Sequence, residues 1–254
     1  MTRRFSVIGL GLLWGLLLVP QPAFALFVNG GFESGDFTGW TFDYGLRSYS
    51  STNITWGQPN NGRSAVISAA TPMQMEQTLP VPIYNGTYMA RINDDDWQYH
   101  ATKISQTGVL QAADIYPGAA LYVNWGAMLP NPAGHDNSEQ PYFKIAVTVA
   151  GNTTWFDAYG NQTAGWTPAG TNYDDPLLYK AETFRFDLSS LTAGTAITIE
   201  MIASDCSLGG HGGWAYLDGI GTTYQPPAGV PEPGTLLLLG CTLAGLYGIR
   251  SKMR

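Results

Sequence analysis

Hydrophobic and polar residues alternate along several short segments of the chain. In Tyr142 to Val149 (YFKIAVTV) alternate residues are apolar, and Lys144 and Thr148 lie between them. This period of two predicts a strand with one buried face. The same pattern recurs in Thr183 to Leu188 (TFRFDL) and Ala196 to Met201 (AITIEM). The middle of the chain has no long stretch with the 3.6-residue period of an amphipathic helix.

Six further segments are rich in residues that favour strands and are bounded by clusters of Gly, Asn, Asp and Pro, which favour turns. These segments are Ser64 to Ala69, Tyr88 to Ile92, Thr102 to Thr107, Ala119 to Met128, Thr153 to Ala158 and Trp214 to Tyr224. About ten strands in one body of this length predict an all-β domain, a jelly-roll β-sandwich, over residues 26–225.

The first 25 residues have the three parts of a secretory signal peptide. Arg3 and Arg4 form a basic start, Ser6 to Val19 is apolar, and the A-F-A sequence at 23–25 is a small-residue cleavage site. The pattern predicts a signal-peptide helix over 1–25, cleavage before Leu26 and export of the rest. The alternative is an uncleaved membrane anchor, which the shortness of the apolar region disfavours.

The last 25 residues contain three parts in a fixed order, preceded by a short linker at 226–229. The first part is a motif made of Val230, Pro231, Glu232 and Pro233. An uncharged, mostly apolar segment, Thr235 to Ile249, follows, and a basic tail at 250–254 ends the chain. As a helix the apolar segment would span roughly 22 Å, which is less than the roughly 30 Å of a bilayer core.

This order of motif, short apolar helix and basic tail resembles the PEP-CTERM sorting signal of Gram-negative bacteria, over residues 230–254. The resemblance implies recognition and cleavage by an exosortase near the Pro-Glu-Pro motif. It also implies a transient transmembrane helix in the inner membrane, then release to the cell surface or extracellular space, often with exopolysaccharide. The basic tail would stay cytoplasmic, which places the body outside and agrees with a signal peptide. An ordinary anchor is the alternative.

The charge of the body limits the classes of molecule that it is expected to bind. The chain has a net charge of −7, and five of its 12 Lys and Arg residues lie in the two end segments, whereas 18 of its 19 acidic residues lie in the body. An acidic body argues against nucleic acid and anionic membrane surfaces, and favours cations and neutral sugars.

The opening of the body, NGGFESGDFTGW at 29–40, resembles the start of the galactose-binding-like jelly rolls, a fold shared by many carbohydrate-binding modules. That resemblance implies a structural calcium ion held by Glu33 and by Asp218 of the last strand. Calcium prefers six to eight oxygen ligands, and nearby glycines would let the backbone fold around it. The alternative is that Phe32 and Trp40 pack in the core and Glu33 is a turn carboxylate.

A second constellation lies in SDCSLGGHGGWAYLD at 204–218. Cys206 is the only cysteine of the body, so it has no partner for a disulfide there. One interpretation is a buried apolar residue; the other is a metal ligand acting with His211 of the same stretch and His135 of another loop. The spacing matches no known closed zinc pattern.

The third constellation is NDDDWQYH at 93–100. One interpretation is a solvated acidic loop. The other is a sugar site, because aromatic rings stack on sugar faces and carboxylates accept hydrogen bonds from hydroxyls. Its candidate ligand-binding residues are Asp94, Asp95, Asp96, Trp97 and Tyr99.

Together these patterns predict an exported, non-catalytic surface or matrix protein that binds glycan or associates with exopolysaccharide. The sequence contains no G-x-S-x-G, H-E-x-x-H or phosphate-binding loop motif, and no motif singles out any of its acidic residues as catalytic. Two alternatives stay open. One is a structural surface protein without a specific ligand; the other is a metal-dependent enzyme using Cys206, His211 and His135.

Overall fold

The structure, a computed structural model, describes residues 26–68, 86–94, 96 and 98–222. The predicted signal peptide, the linker at 226–229 and the sorting signal at 230–254 lie outside the described residues, and so do Asp95 and Trp97. Within the described part of the chain, no helix is long and apolar enough to cross a membrane.

The described residues form twelve strands and two short 3-10 turns, so the all-β prediction is confirmed. The strands are β1 (Thr41–Arg47), β2 (Ile54–Gln58), β3 (Ala65–Ser68), β4 (Tyr88–Ile92), β5 (His100–Val109), β6 (Ala120–Pro130), β7 (Tyr142–Val149), β8 (Asn152–Tyr159), β9 (Thr167–Asn172), β10 (Asp175–Asp187), β11 (Ala196–Ser204) and β12 (Trp214–Gly221).

The strands pack as two six-stranded antiparallel sheets. The front sheet has the order β2-β1-β5-β11-β7-β8, and the back sheet has the order β3-β4-β12-β6-β10-β9. The chain passes repeatedly from one sheet to the other, as in a jelly-roll sandwich. The loops that make these crossings gather polar residues from distant parts of the sequence at the ends of the sandwich.

The core lies between the sheets and contains most of the apolar residues that the alternating patterns predict to be buried; Val149, Phe184 and Phe186 are partly buried and pack against it. Ile145 of β7 and Ile199 of β11 are completely buried and face the back sheet's Trp125, which is also completely buried. The Trp125 ring stacks at 5.1 Å on Phe143 and at 5.0 Å on Phe156, measured between centroids. Trp125 of the back sheet therefore packs directly on two strands of the front sheet.

The opening stretch lies beside the last strand, β12. The Ile220 N–H donates to the Gly30 carbonyl oxygen at 3.1 Å. A side chain at Gly30 would bring a Cβ within 2.5 Å of the Ile220 carbonyl oxygen, so this approach requires glycine. Residues 26–40 form turns instead of a strand, because Asn29 and Phe32 have positive φ angles of 51° and 55°.

Candidate functional site

Two loops at one end of the sandwich bring His135, Cys206 and His211 together. His135 lies between β6 and β7, and the other two residues lie between β11 and β12. One ligand atom from each residue lies within 4.8 Å of the other two. The two imidazole rings are nearly perpendicular, with centroids 5.2 Å apart. The structure thus brings the three residues named for the alternative metal site into one cluster.

The loop around Cys206 is closed by hydrogen bonds to its backbone and its sulfur. The Cys206 N–H donates to the His211 carbonyl oxygen at 2.8 Å, and the Gly210 N–H donates to the Cys206 Sγ at 3.1 Å. Cys206 is completely buried. The Gly210 N–H therefore fixes the position of the sulfur within the loop.

A carboxylate orients His211. The Nε2 atom of His211 lies 2.8 Å from the Oδ2 of Asp175, the first residue of β10. Burial lowers the pKa of His211; Asp175 acts in the opposite direction, and His135 lowers the pKa further. The neutral ring therefore has its proton on Nε2, where Asp175 accepts it, and a lone pair on Nδ1.

The Nδ1 atoms of His135 and His211 are both buried, and neither has a hydrogen-bond partner among the described residues. Buried polar atoms are nearly always hydrogen-bonded or bound to an ion. Two histidines with such nitrogen atoms, clustered with one buried thiol, are an arrangement that a metal ion would complete.

Arg47 of β1 holds the two loops that contribute the cluster. Its guanidinium donates to the carbonyl oxygens of Gln140 at 2.5 Å, Asp205 at 2.9 Å and Ser138 at 2.7 Å. It also reaches the Ser51 carbonyl oxygen at 3.1 Å. Only 5% of Arg47 is exposed, and its burial lowers the pKa of the guanidinium.

Asp205, beside Cys206, is completely buried and accepts several hydrogen bonds. The Asn93 side-chain amide donates to Oδ1 at 2.7 Å, and the His100 N–H donates to Oδ2 at 2.9 Å. Burial raises the pKa of Asp205 to about 8, although Arg63 and these donors act in the opposite direction. The residue is therefore a structural link between β5, the segment after β4 and the loop that contains Cys206.

The second candidate site is the outer face of the front sheet. Side chains alternate along a strand, so the neighbours of the buried Ile104, Ile145 and Met201 lie on the opposite face. Cross-strand pairing aligns them in rows. One row contains Thr41, Ser105, Glu200, Ala146 and Trp155, and the next contains Asp43, Lys103, Ile202, Lys144 and Asp157.

Aromatic residues lie at both edges of this outer face. Trp155 of the edge strand β8 is 59% exposed. At the other edge, the Lys103 Nζ lies 4.8 Å from the centroid of the Trp56 ring and 3.2 Å from the Asp43 Oδ2. Five inter-strand spacings of about 4.8 Å separate β2 from β8. The face is therefore roughly 24 Å wide, with mostly polar side chains between two tryptophans.

A third row on this face consists of threonine hydroxyls: Thr107, Thr198, Thr148 and Thr153. The first two hydroxyl oxygens lie 2.8 Å apart, and so do the last two. Each hydroxyl can both donate and accept a hydrogen bond, so the row extends the polar surface without adding charge.

The acidic loop predicted to bind sugar is partly engaged within the protein. Asp94 and Asp96 each bind the Arg63 guanidinium at 2.7 Å. Tyr99 is half-buried, and its ring lies against Gly209, where an added Cβ would come within 2.6 Å of it. Because Asp95 and Trp97 are outside the described residues, the sugar site of this loop stays a prediction.

The two residues predicted to bind calcium have different environments. Glu33 is exposed and accepts hydrogen bonds from the N–H groups of Thr87 and Tyr88, at 2.9 and 3.1 Å. Asp218 is completely buried on β12, and its Oδ1 accepts from the Gly219 N–H at 2.6 Å. The calcium site of Glu33 and Asp218 stays a prediction.

Sequence reasoning missed Asp175 and several residues of the outer face, among them Trp155. Asp175 begins a long strand and has no local motif, and its role is visible only from the position of His211. Trp155 belongs to a strand that was predicted, but its place at one edge of the outer face depends on β8 being an edge strand. Only the order of strands in the sheet could have identified it.

Comparison with known proteins gives remote likenesses. No protein-family model matches the sequence, and no curated protein matches it. A carbohydrate-binding module specific for non-crystalline cellulose, CBM28, is 14% identical, with 76% of this chain and 93% of that chain covered and a TM-score of 0.38. CBM27-1 of Caldicellulosiruptor saccharolyticus, in complex with mannohexaose, is 13% identical, with 76% and 94% covered and a TM-score of 0.39.

A cyclase from Fischerella sp. TAU is 14% identical, with 79% of this chain and 96% of that chain covered and a TM-score of 0.39. Binding modules and an enzyme are thus among the similar structures. At these TM-scores the likenesses carry no argument about the activity or ligand of this chain.

Proposed function

We propose that this chain is an exported, non-catalytic surface or matrix protein that binds neutral glycan on the outer face of its front sheet. The observation that carries the proposal is the pair of edge tryptophans, Trp56 and Trp155, on either side of rows of mostly polar side chains.

The chemistry of the face suits a sugar polymer. A sugar ring has an apolar face of C–H groups, which an exposed aromatic ring can cover, and a rim of hydroxyls. Glu200 and Asp157 can accept hydrogen bonds from hydroxyls, and Lys103 can donate to their oxygen atoms. The net charge of −7 disfavours anionic polymers, so a neutral glycan is favoured.

The end segments supply the proposed route. A signal peptide at 1–25 would export the chain, and an exosortase would cut near Val230 to Pro233 and free the body from the inner membrane. Changing Glu232→Ala and Pro233→Ala together should then leave a larger, membrane-associated form in the source bacterium. Unchanged processing of that variant would contradict this part of the proposal.

Glycan binding is tested by affinity electrophoresis of the purified full chain in gels that contain the exopolysaccharide of the source bacterium or a neutral glucan. We expect retardation that saturates with glycan concentration. Trp155→Ala should weaken binding at least tenfold, which corresponds to about 1.4 kcal/mol.

Tyr173→Ala is the matched control, because Tyr173 is also 59% exposed but lies beside β9, outside the front sheet. It should leave the affinity unchanged. Loss of binding in Trp97→Ala but not in Trp155→Ala would move the site to the acidic loop. No retardation of the wild-type chain by either polymer would favour a structural surface protein.

A further inference from the structure

The cluster of His135, Cys206 and His211 has a donor set that glycan binding does not use. A thiolate and two imidazoles are soft and borderline ligands, which zinc binds well and calcium does not. The cluster includes neither of the predicted calcium residues, Glu33 and Asp218. The donor set of the cluster therefore suits a ligand other than glycan or calcium.

The spacing of the three ligand atoms is close to that of a metal site. In a tetrahedral zinc site, bonds of about 2.0–2.3 Å place ligand atoms roughly 3.3–3.7 Å apart. In this structure the corresponding atoms lie within 4.8 Å of one another. Closing them around an ion therefore needs movements of about 1 Å, which side-chain rotation in loop residues can supply.

The atoms around the cluster have the arrangement that supports a metal. The His211 Nε2 is 2.8 Å from the Asp175 Oδ2, while its buried Nδ1 and that of His135 lack hydrogen-bond partners within the described residues. Metal-binding histidines commonly donate their other ring N–H to a carboxylate in this way. The Gly210 N–H donates to the cysteine sulfur.

From this geometry we infer that His135, Cys206 and His211 bind one zinc ion, with Asp175 as the residue that positions the His211 ring. Asp175 is held in place, since its Oδ1 accepts a hydrogen bond from the Ala133 N–H at 3.2 Å. The three ligands leave a fourth tetrahedral position for water or a small ligand. The ion would link the loop between β6 and β7 to the loop between β11 and β12.

A cysteine nucleophile, with His211 as base and Asp175 as its orienting carboxylate, would use the same residues. Cys206, however, is completely buried, and a substrate could reach the sulfur only if the loops opened. Reactive cysteines are characteristically in partly exposed environments. A small ion needs a much smaller opening than a substrate, so the burial favours zinc.

The test is titration of the purified, metal-stripped full chain with Zn²⁺ alone, followed by calorimetry and by measurement of bound metal after dialysis. We expect one zinc per chain and a rise in the melting temperature that chelator reverses. Co²⁺ in place of zinc should produce a thiolate-to-metal charge-transfer absorption. Failure of the folded wild-type chain to retain zinc would overturn the inference.

Variants identify the ligands. Cys206→Ser should remove the charge-transfer absorption and weaken zinc binding by at least a hundredfold, and His135→Gln should weaken it similarly. Asp175→Asn should keep one zinc per chain with an affinity lower by about 10–100-fold, as for other residues that orient ligands.

His100→Gln is the matched control, because His100 also lies beside a buried carboxylate, 3.8 Å from the Asp205 Oδ2, but lies outside the cluster. Its zinc affinity should stay within twofold of the wild-type value. Zinc retained equally by Cys206→Ser and His135→Gln, with both variants folded by circular dichroism, would show binding elsewhere and overturn the assignment.

Discussion

The Arg47 guanidinium donates a hydrogen bond of 2.9 Å to the carbonyl oxygen of Asp205, 158 residues away along the chain. The same guanidinium binds the carbonyl oxygens of Ser138 and Gln140. A single buried cation therefore joins β1 to the two loops that contain His135 and Cys206. Carbonyl groups buried in this way need the donor, because water cannot replace it without opening the loops.

Replacing this cation tests how much the loops depend on it. Arg47→Met keeps much of the apolar volume but leaves several carbonyl oxygens without their donor, so we expect a loss of about 2–4 kcal/mol in the free energy of unfolding. Chemical denaturation measures this. Arg185→Met, at an exposed position of β10, should change stability by less than about 0.5 kcal/mol. Equal effects of the two substitutions would show that the carbonyl contacts contribute little.

Trp125 is the aromatic centre of the core, and its removal should be costly. Trp125→Ala leaves a cavity between the Phe143, Phe156 and Phe184 rings, so we expect the free energy of unfolding to fall by about 3–5 kcal/mol. Trp155→Ala, which removes the same side chain from an exposed edge, should cost less than about 0.5 kcal/mol. Similar unfolding curves for the two variants would contradict the assignment of Trp125 to the core.

The strands that could be predicted from the sequence are those with one buried and one exposed face, because their apolar and polar residues alternate. Tyr142–Val149 of β7 has the predicted bounds, and the predicted inward residues of β11 are buried. Strands β1, β2 and β9 were missed. They contain glycine or proline and have few buried apolar residues, so they lack the alternation that the prediction used.

The candidate sites were less predictable, because they depend on which loops and strands are neighbours. His211 and Cys206 are close in sequence, and their approach to His135 was an open alternative that the structure realises. The role of Asp175 depends on where β10 begins relative to that cluster, and no local motif marks it. The outer face of the front sheet likewise requires the strand order, which alternation alone does not give.

The turn after Cys206 requires glycine for two separable reasons. Gly209 has a φ of +78°, and an added Cβ would also come within 2.6 Å of the Tyr99 ring. Gly194 has a φ of +91° with nothing within 4 Å of an added Cβ. We expect Gly194→Ala to lower the free energy of unfolding by about 1–2 kcal/mol through backbone strain alone. Gly209→Ala should cost clearly more in the same thermal or chemical unfolding measurement; an equal cost would mean that Tyr99 moves aside freely.

The opening stretch contains an acidic residue whose titration reports on its turn. The Asp36 carboxylate accepts hydrogen bonds from the Ser34 hydroxyl at 2.7 Å and from the Thr38 N–H at 3.0 Å. These bonds, the Ser34 hydroxyl first, hold the pKa of Asp36 below its ordinary value. The ionised Asp36 therefore stabilises the turn at pH values above its unfolded-state pKa. This stabilisation is lost as the pH falls through the lower pKa that Asp36 has in the folded state.

Carboxyl chemical shifts measured by NMR against pH check this assignment. Ser34→Ala should raise the pKa of Asp36 towards its ordinary value. Asp187 offers a matched pair, because the Ser189 hydroxyl donates to it at 2.6 Å and lowers its pKa in the same way. Ser189→Ala should raise the pKa of Asp187 and leave Asp36 unchanged, whereas Ser34→Ala should do the reverse. A common shift of both carboxyls in either variant would mean that the overall charge of the protein, and not these hydroxyl contacts, sets their titration.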